Sequence, residues 1–163
     1  MREPSLKKRF VLQPTGRKKA EVVLVGQDGI AGRRQIVIGV ESEVFGEYPD
    51  GTPFHGIKLP GGTDNQVIRP DGTTEMLAQY GIRLDDGTSF FVENRGFRKV
   101  PPEYVETVLQ GNIIDGSLQY FVTTPKFEIY DPSLKWLYDR MWIAVGNRTE
   151  HGSIITFYSV ELS

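Results

Sequence analysis

Cysteine is absent from the 163 residues of the chain, which excludes disulfides, thiolate catalysis and sulfur-ligated zinc or iron–sulfur sites. Histidine is scarce as well, and the two present, His55 and His151, have no metal-ligand spacing with Asp64 or Glu128. Nucleophile-elbow, Walker, dinucleotide-binding and zinc-protease motifs are also missing. We therefore expect no metal, no cofactor and no covalent serine chemistry.

Strong net charge and long apolar runs are missing too. The net charge is −2 and the isoelectric point is near 5.7, which gives no electrostatic basis for binding nucleic acid or an anionic membrane. The basic start, MREPSLKKRF, is not followed by an apolar run, so it predicts neither a signal peptide nor a membrane span. We expect a cytoplasmic protein whose partner is a small organic molecule.

Turn residues, in contrast, are plentiful, with 18 glycines and 10 prolines. Asp-Gly, a hairpin signal, occurs five times: Asp28-Gly29, Asp50-Gly51, Asp71-Gly72, Asp86-Gly87 and Asp115-Gly116. The segments between turns predict strands at 21–26, 35–44, 56–59, 64–69, 74–84, 89–95, 118–123, 141–146 and 154–161. Many short strands separated by turns predict a single all-β domain over residues 1–163, either an antiparallel barrel or a sandwich.

Helical signals are few. The segment PPEYVETVLQGN has prolines for a first turn, an apolar stripe and an exit glycine, which predicts a helix that plugs or covers an end of the sheet. A shorter helical turn is predicted at DPSLKWLYD, with Asp131 as its cap. Residues 1–19 are basic and polar, and we expect them to form a flexible arm or a loose edge strand.

The segment DNQVIRPDGTTEMLAQYGIRLDDGTSFFVENRG permits a prediction of strand register. If PDG and DDG are three-residue loops, Arg69 pairs with Thr73 and Leu84 with Thr88. Counting outward gives the pairs Ile68–Thr74, Gln66–Met76, Asp64–Ala78, Ile82–Phe90, Tyr80–Val92 and Ala78–Asn94. Side-chain alternation then sends Asp64, Gln66, Tyr80 and Asn94 inward among apolar residues. The opposite face carries Asn65, Arg69, Glu75, Gln79, Arg83, Glu93 and Arg95, together with Val67, Leu77 and Phe91, whose apolar character favours a homodimer.

Asp64 is the main candidate for a catalytic group. In a pocket, desolvation would raise its pKa toward a useful acid/base range, and Tyr80 and Asn94 would hydrogen-bond a ligand oxygen. The alternative is structural: Asp64 would accept backbone N–H bonds from the Gly61-Gly62 turn. Both interpretations stay open at the level of sequence.

Six further residues are candidates for substrate binding. Gln66 points inward beside Asp64. Arg69 or Arg95 would anchor an anionic group at the rim, and Trp136 would cover the substrate. Glu128 lies among apolar residues and His55 would shuttle protons, although a solvent-facing position is the commoner interpretation of both.

LPGGTDNQVIRPDG, VENRG, YFVTTPKFE and a following WL closely resemble the domain-of-unknown-function family 3237, an uncharacterised protein family. The resemblance extends from about Gly32 to the C-terminus and leaves the N-terminal arm outside. It implies a single-domain β-barrel, so we expect an antiparallel up-and-down, lipocalin-like barrel of about 8–10 strands with one or two short helices.

Three functions fit this fold. The preferred hypothesis is a small-molecule enzyme that uses noncovalent acid/base chemistry for isomerisation, cyclisation, elimination or hydration. A lipocalin-like carrier needs the same cavity but no poised acid. A structural subunit would fill the barrel with its own side chains.

Overall fold

The computed structural model describes residues 1–28 and 30–163, with only the backbone described at Asp28. These residues form one α-helix, α1 (Val105–Leu109), and three 3₁₀ segments at Pro102–Tyr104, Gly116–Leu118 and Pro132–Tyr138. They also form eleven β-strands: β1 (Pro4–Pro14), β2 (Glu21–Asp28), β3 (Gly32–Ile38), β4 (Ser42–Glu47), β5 (Pro53–Lys58), β6 (Thr63–Ile68), β7 (Thr74–Leu84), β8 (Ser89–Lys99), β9 (Tyr120–Ile129), β10 (Trp142–Thr149) and β11 (Gly152–Leu162).

Eight of the strands close into an antiparallel barrel. Its strand order is β7, β8, β9, β10, β11, β1, β4 and β5, and β5 pairs back onto β7. The predicted all-β antiparallel barrel is therefore confirmed. Strand β7 is long enough to hold two partners on one edge, because residues 74–79 pair with β6 and residues 82–84 with β5. From β6 the sheet continues to β3 and β2, and we call β2, β3 and β6 the wing.

The N-terminal segment differs from the prediction of a flexible arm or loose edge strand. Strand β1 lies inside the barrel wall, paired with β11 on one side and β4 on the other. Its first half is exposed and basic, so the sequence there does not show the apolar alternation of a barrel strand. Phe10 and Leu12, in its second half, are buried in the core. The strand predicted at 35–44 is in fact β3 and β4, separated where the backbone N–H of Gly39 donates to the carbonyl of Gly62.

The register predicted for the central hairpins is confirmed. The backbone N–H of Arg69 donates to Thr73 and that of Leu84 to Thr88, each at 2.8 Å, with Gly72 and Gly87 in the left-handed region at φ 85° and 91°. All six predicted pairs are present, namely Ile68–Thr74, Gln66–Met76, Asp64–Ala78, Ile82–Phe90, Tyr80–Val92 and Ala78–Asn94. The turn predicted at Asp28-Gly29 involves Gly29, which lies outside the described residues.

Aromatic packing fills one half of the barrel. Phe10 stacks on Phe157 with ring centroids 4.3 Å apart, and Trp142 lies 5.8 Å from Phe10. The 3₁₀ segment Pro132–Tyr138 closes this end by burying Leu134 and Leu137. It begins at Asp131, whose carboxylate accepts a hydrogen bond from the N–H of Ser133, as the predicted cap requires. The aromatic core thus occupies the end of the barrel beneath that segment.

The helix predicted at PPEYVETVLQGN is also confirmed. Helix α1 follows the 3₁₀ segment Pro102–Tyr104, and its Val108 packs with Ile68 and Ile114 beneath the end of the wing. Val105 approaches the turn so closely that a Cβ on Gly72 would come within 2.8 Å of it. No helix in the described residues is long and apolar enough to cross a membrane.

Candidate functional site

A cavity of about 80 Å³ lies in the half of the barrel that the aromatic core leaves open. In β7, Ile82 and Leu84 lie in the core, whereas Met76, Ala78 and Tyr80 pack with that core and also line the cavity. The wing supplies Val37 and Asp64. Side chains therefore leave part of the barrel interior unfilled.

The three predicted catalytic residues meet in this cavity. Asp64, Ala78 and Asn94 form one cross-strand row, and Tyr80 lies two residues further along β7. Within the described part of the chain, Asp64 Oδ1, the Tyr80 hydroxyl and Asn94 Oδ1 are buried and have no hydrogen-bond partner. The alternative in which the Gly61-Gly62 backbone satisfies Asp64 is not observed. Three buried polar atoms of residues that line the cavity thus have no hydrogen-bond partner.

A chain of side-chain hydrogen bonds orients Asp64. Arg33 Nε donates to Gln35 Oε1 at 2.7 Å, Gln35 Nε2 to Gln66 Oε1 at 2.8 Å, and Gln66 Nε2 to Asp64 Oδ2 at 2.7 Å. Because a guanidinium can only donate, Arg33 fixes the orientation of both amides in turn. Oδ2 therefore accepts from Gln66, and Oδ1 is the oxygen that can exchange a proton with a ligand. Gln66 points inward as predicted but lies behind Asp64, so it positions the acid.

Burial dominates the protonation of the acidic groups. Desolvation raises the pKa of Asp64, opposed by the hydrogen bond from Gln66, by the charges of Arg98 and Arg148 and by the backbone N–H of Leu77. Desolvation also raises the pKa of the Tyr80 hydroxyl, with the nearby Asp64 as a second cause. Tyr80 therefore remains a hydrogen-bond donor at neutral pH, and Asp64 is displaced toward the range in which it can act as both acid and base.

Three basic residues at the site were missed by the sequence reasoning: Lys58, Arg98 and Arg148. Lys58 and Arg148 line the cavity, and Arg98 is buried nearby. Burial lowers the pKa of Lys58 to about 8, and burial followed by the charge of Arg148 lowers that of Arg98 to about 10. Extending the alternation of β8 from Asn94 by four residues would have predicted Arg98 inward, whereas Lys58 and Arg148 lie outside the two hairpins whose register was predicted.

Five residues predicted at the site do not line this cavity. Arg69 forms an ion pair with Glu75 at 2.7 Å, and Arg95 is exposed on the same outer wall. The His55 ring bonds Asp85 at 2.9 Å, also outside. The remaining two are Glu128, which is exposed and accepts from the Tyr130 hydroxyl, and Trp136, which packs in the aromatic half near Trp142. Alternation along the strands separates the first four from the cavity, and the filled core separates Trp136.

In the part of the chain that the structure describes, no group of three or more His, Asp and Glu side chains is placed to hold an ion.

Comparison with known proteins places the molecule in a family. The family model described as "Protein of unknown function (DUF3237)" matches residues 4–160, so the resemblance includes β1 and the predicted limit at Gly32 is wrong. A UPF0311 protein of Clostridium acetobutylicum is 41% identical over 138 residues, which cover 85% of this chain and 84% of that protein.

Two solved structures extend the comparison. A protein with unknown function from Clostridium acetobutylicum ATCC 824 is 38% identical, with a TM-score of 0.86 and coverage of 98% of this chain and 100% of that one. An enzyme from Penicillium herquei shares the fold at 16% identity, with a TM-score of 0.65 and coverage of 97% and 95%.

Proposed function

The chain belongs to the DUF3237 family of proteins of unknown function, and we propose that it is a small-molecule enzyme performing noncovalent acid/base chemistry in its barrel cavity. The observation that carries this proposal is the buried, unpartnered Oδ1 of Asp64, which shares the cavity with the unpartnered Tyr80 hydroxyl. A desolvated carboxylate held in one orientation is the arrangement that proton transfer requires.

Each group has a role that its position supports. Asp64 Oδ1 takes a proton from a carbon or oxygen of the substrate and returns one at a second position. The Tyr80 hydroxyl donates a hydrogen bond to a substrate oxygen on which negative charge develops. Asn94 Oδ1, the unpartnered atom of that amide, accepts a hydrogen bond from a hydroxyl or N–H group of the substrate. Isomerisation, cyclisation, elimination and hydration all consist of such paired proton transfers, and none needs a covalent enzyme intermediate or a cofactor.

A carrier function is the competing proposal, since the cavity suits a bound ligand in either case. The orientation of Asp64 favours catalysis, because Gln66 holds Oδ2 and leaves the buried Oδ1 free for proton transfer. The fold is also found in the Penicillium herquei enzyme, so it is compatible with catalysis.

The test separates binding from proton transfer. Small oxygen-containing organic molecules are screened for stabilisation of the wild-type protein in thermal unfolding. The ligands found are then incubated with protein in D₂O, and NMR follows deuterium incorporation. We expect Asp64→Asn to keep the ligand-induced shift in Tm while slowing exchange by at least about 100-fold, the usual contribution of a general base.

The matched control is Glu75→Gln, which changes an exposed acid on the outer face of the same strand that carries Tyr80. This variant should exchange at the wild-type rate. Ligands that bind wild-type protein but undergo neither exchange nor turnover would identify a carrier and refute the enzyme proposal.

A further inference from the structure

The cavity region carries more positive than negative charge. Lys58, Arg98 and Arg148 each interact electrostatically with Asp64, and for all three it is the one carboxylate that contributes. Three cations therefore share a single acidic partner. None of the three has a carboxylate within ion-pair distance in the described residues.

Two of these cations are buried and Lys58 is partly buried. Arg98 and Arg148 are each 6% exposed, and Arg98 Nη1 has no hydrogen-bond partner within the described chain. The Arg98 guanidinium lies 5.6 Å from the Phe121 ring, and Lys58 Nζ lies 5.7 Å from the Tyr80 ring. Aromatic faces hold a cation in place without neutralising it. Burying an unpaired charge is costly. Pairing with the single carboxylate of Asp64 therefore does not explain why three cations are held here.

We propose that the ligand is a small organic acid whose carboxylate lies between Lys58 and Arg148. Both side chains line the cavity from different walls, β5 and β10. A guanidinium matches a carboxylate with two parallel hydrogen bonds, and an ammonium supplies a further donor. The apolar lining, including Val37, Phe121 and Ile155, receives the carbon skeleton. This inference deepens the proposed function, on which it rests for the choice of cavity, by naming the class of substrate.

The test compares acids with their neutral counterparts. Acetate, butyrate and benzoate are titrated against acetamide, butyramide and benzamide at pH 7 and constant ionic strength, and NMR shifts of the wild-type protein give the dissociation constants. We expect each acid that binds to do so at least about tenfold more tightly than its amide, because charge-assisted hydrogen bonds are the stronger kind. Arg148→Gln should remove most of that preference, whereas Arg95→Gln, on the exposed outer wall, should keep it.

Lys58→Met is the second variant, should Arg148→Gln not fold, and it should also reduce the preference. Amides that bind the wild-type protein as tightly as the acids overturn the inference, with no variant needed. A third outcome is Asp64-dependent deuterium exchange in a protein that binds acids no more tightly than amides. That result overturns the organic-acid inference and leaves the enzyme proposal standing. A carboxylate preference without such exchange supports the organic-acid inference and refutes the enzyme proposal.

Discussion

Replacing Lys58 by methionine should stabilise the ligand-free protein at neutral pH. The ammonium lies in a partly buried position at the cavity, and desolvation is the main cause of its lowered pKa. Methionine keeps a similar length and fills the same space without a charge. The change therefore measures how much the partly buried positive charge lowers the free energy of unfolding when no ligand is bound.

The pKa of Lys58 sets the size of the effect. It falls from 10.5 to about 8 on folding, which at about 1.4 kcal/mol per pKa unit means that protonated Lys58 costs roughly 3 kcal/mol at pH 7. Above pH 8 the folded protein releases this proton while the unfolded chain still holds it, so the cost decreases with rising pH and is about 1 kcal/mol at pH 10. Loss of the contact with the Tyr80 ring offsets about 1 kcal/mol. The net gain from Lys58→Met is therefore about 2 kcal/mol at pH 7 and close to zero at pH 10.

Urea unfolding of wild type and Lys58→Met at pH 7, 8.5 and 10 measures this difference, because groups that titrate in both proteins cancel. Lys126→Met is the control, since Lys126 is exposed on β9 and its loss should leave the free energy of unfolding nearly unchanged. A Lys58→Met variant that is less stable than wild type at pH 7, or whose gain does not depend on pH, would refute the reasoning.

Two further substitutions test the interior. Gln35→Leu should lower the free energy of unfolding by about 1–3 kcal/mol, because it leaves buried Gln66 Oε1 without a donor; unchanged urea unfolding would contradict the chain that orients Asp64. Phe157→Ala should cost about 3–5 kcal/mol, since the ring is fully buried against Phe10, whereas Phe91→Ala on the outer face should cost under about 1 kcal/mol. Equal decreases in the free energy of unfolding of the two variants, measured by urea unfolding, would contradict the position of the core around Phe157.

Turn chemistry made much of this fold predictable. Pro-Asp-Gly and Asp-Asp-Gly leave few choices of hairpin loop. Once the loop length is known, counting outward gives the pairs of β6 with β7 and of β7 with the first half of β8, and alternation gives the face of each side chain. That is why Asp64, Tyr80 and Asn94 could be brought together from residues 30 positions apart in the chain. Local signals of this kind need no knowledge of the rest of the barrel.

Predictions failed where long-range pairing decides the outcome. Strand β1 closes the barrel against β11, a contact between the two ends of the chain that no turn announces. Lys58 on β5 and Arg148 on β10 also reach the cavity only in the closed barrel. Trp136 is the type of residue expected to cover a pocket, but the segment that carries it packs at the aromatic end of the barrel. Only the assembled barrel distinguishes its two ends.

The division of the barrel into an aromatic half and a cavity half has a consequence for evolution and engineering. Phe10, Phe157 and their neighbours supply most of the apolar burial, so the fold can accept changes at cavity positions that it could not accept in the core. A combinatorial library at Val37, Thr123 and Ser153 would sample new ligand specificities while the aromatic half maintained folding yield. Homologous barrels can diversify their chemistry by the same route.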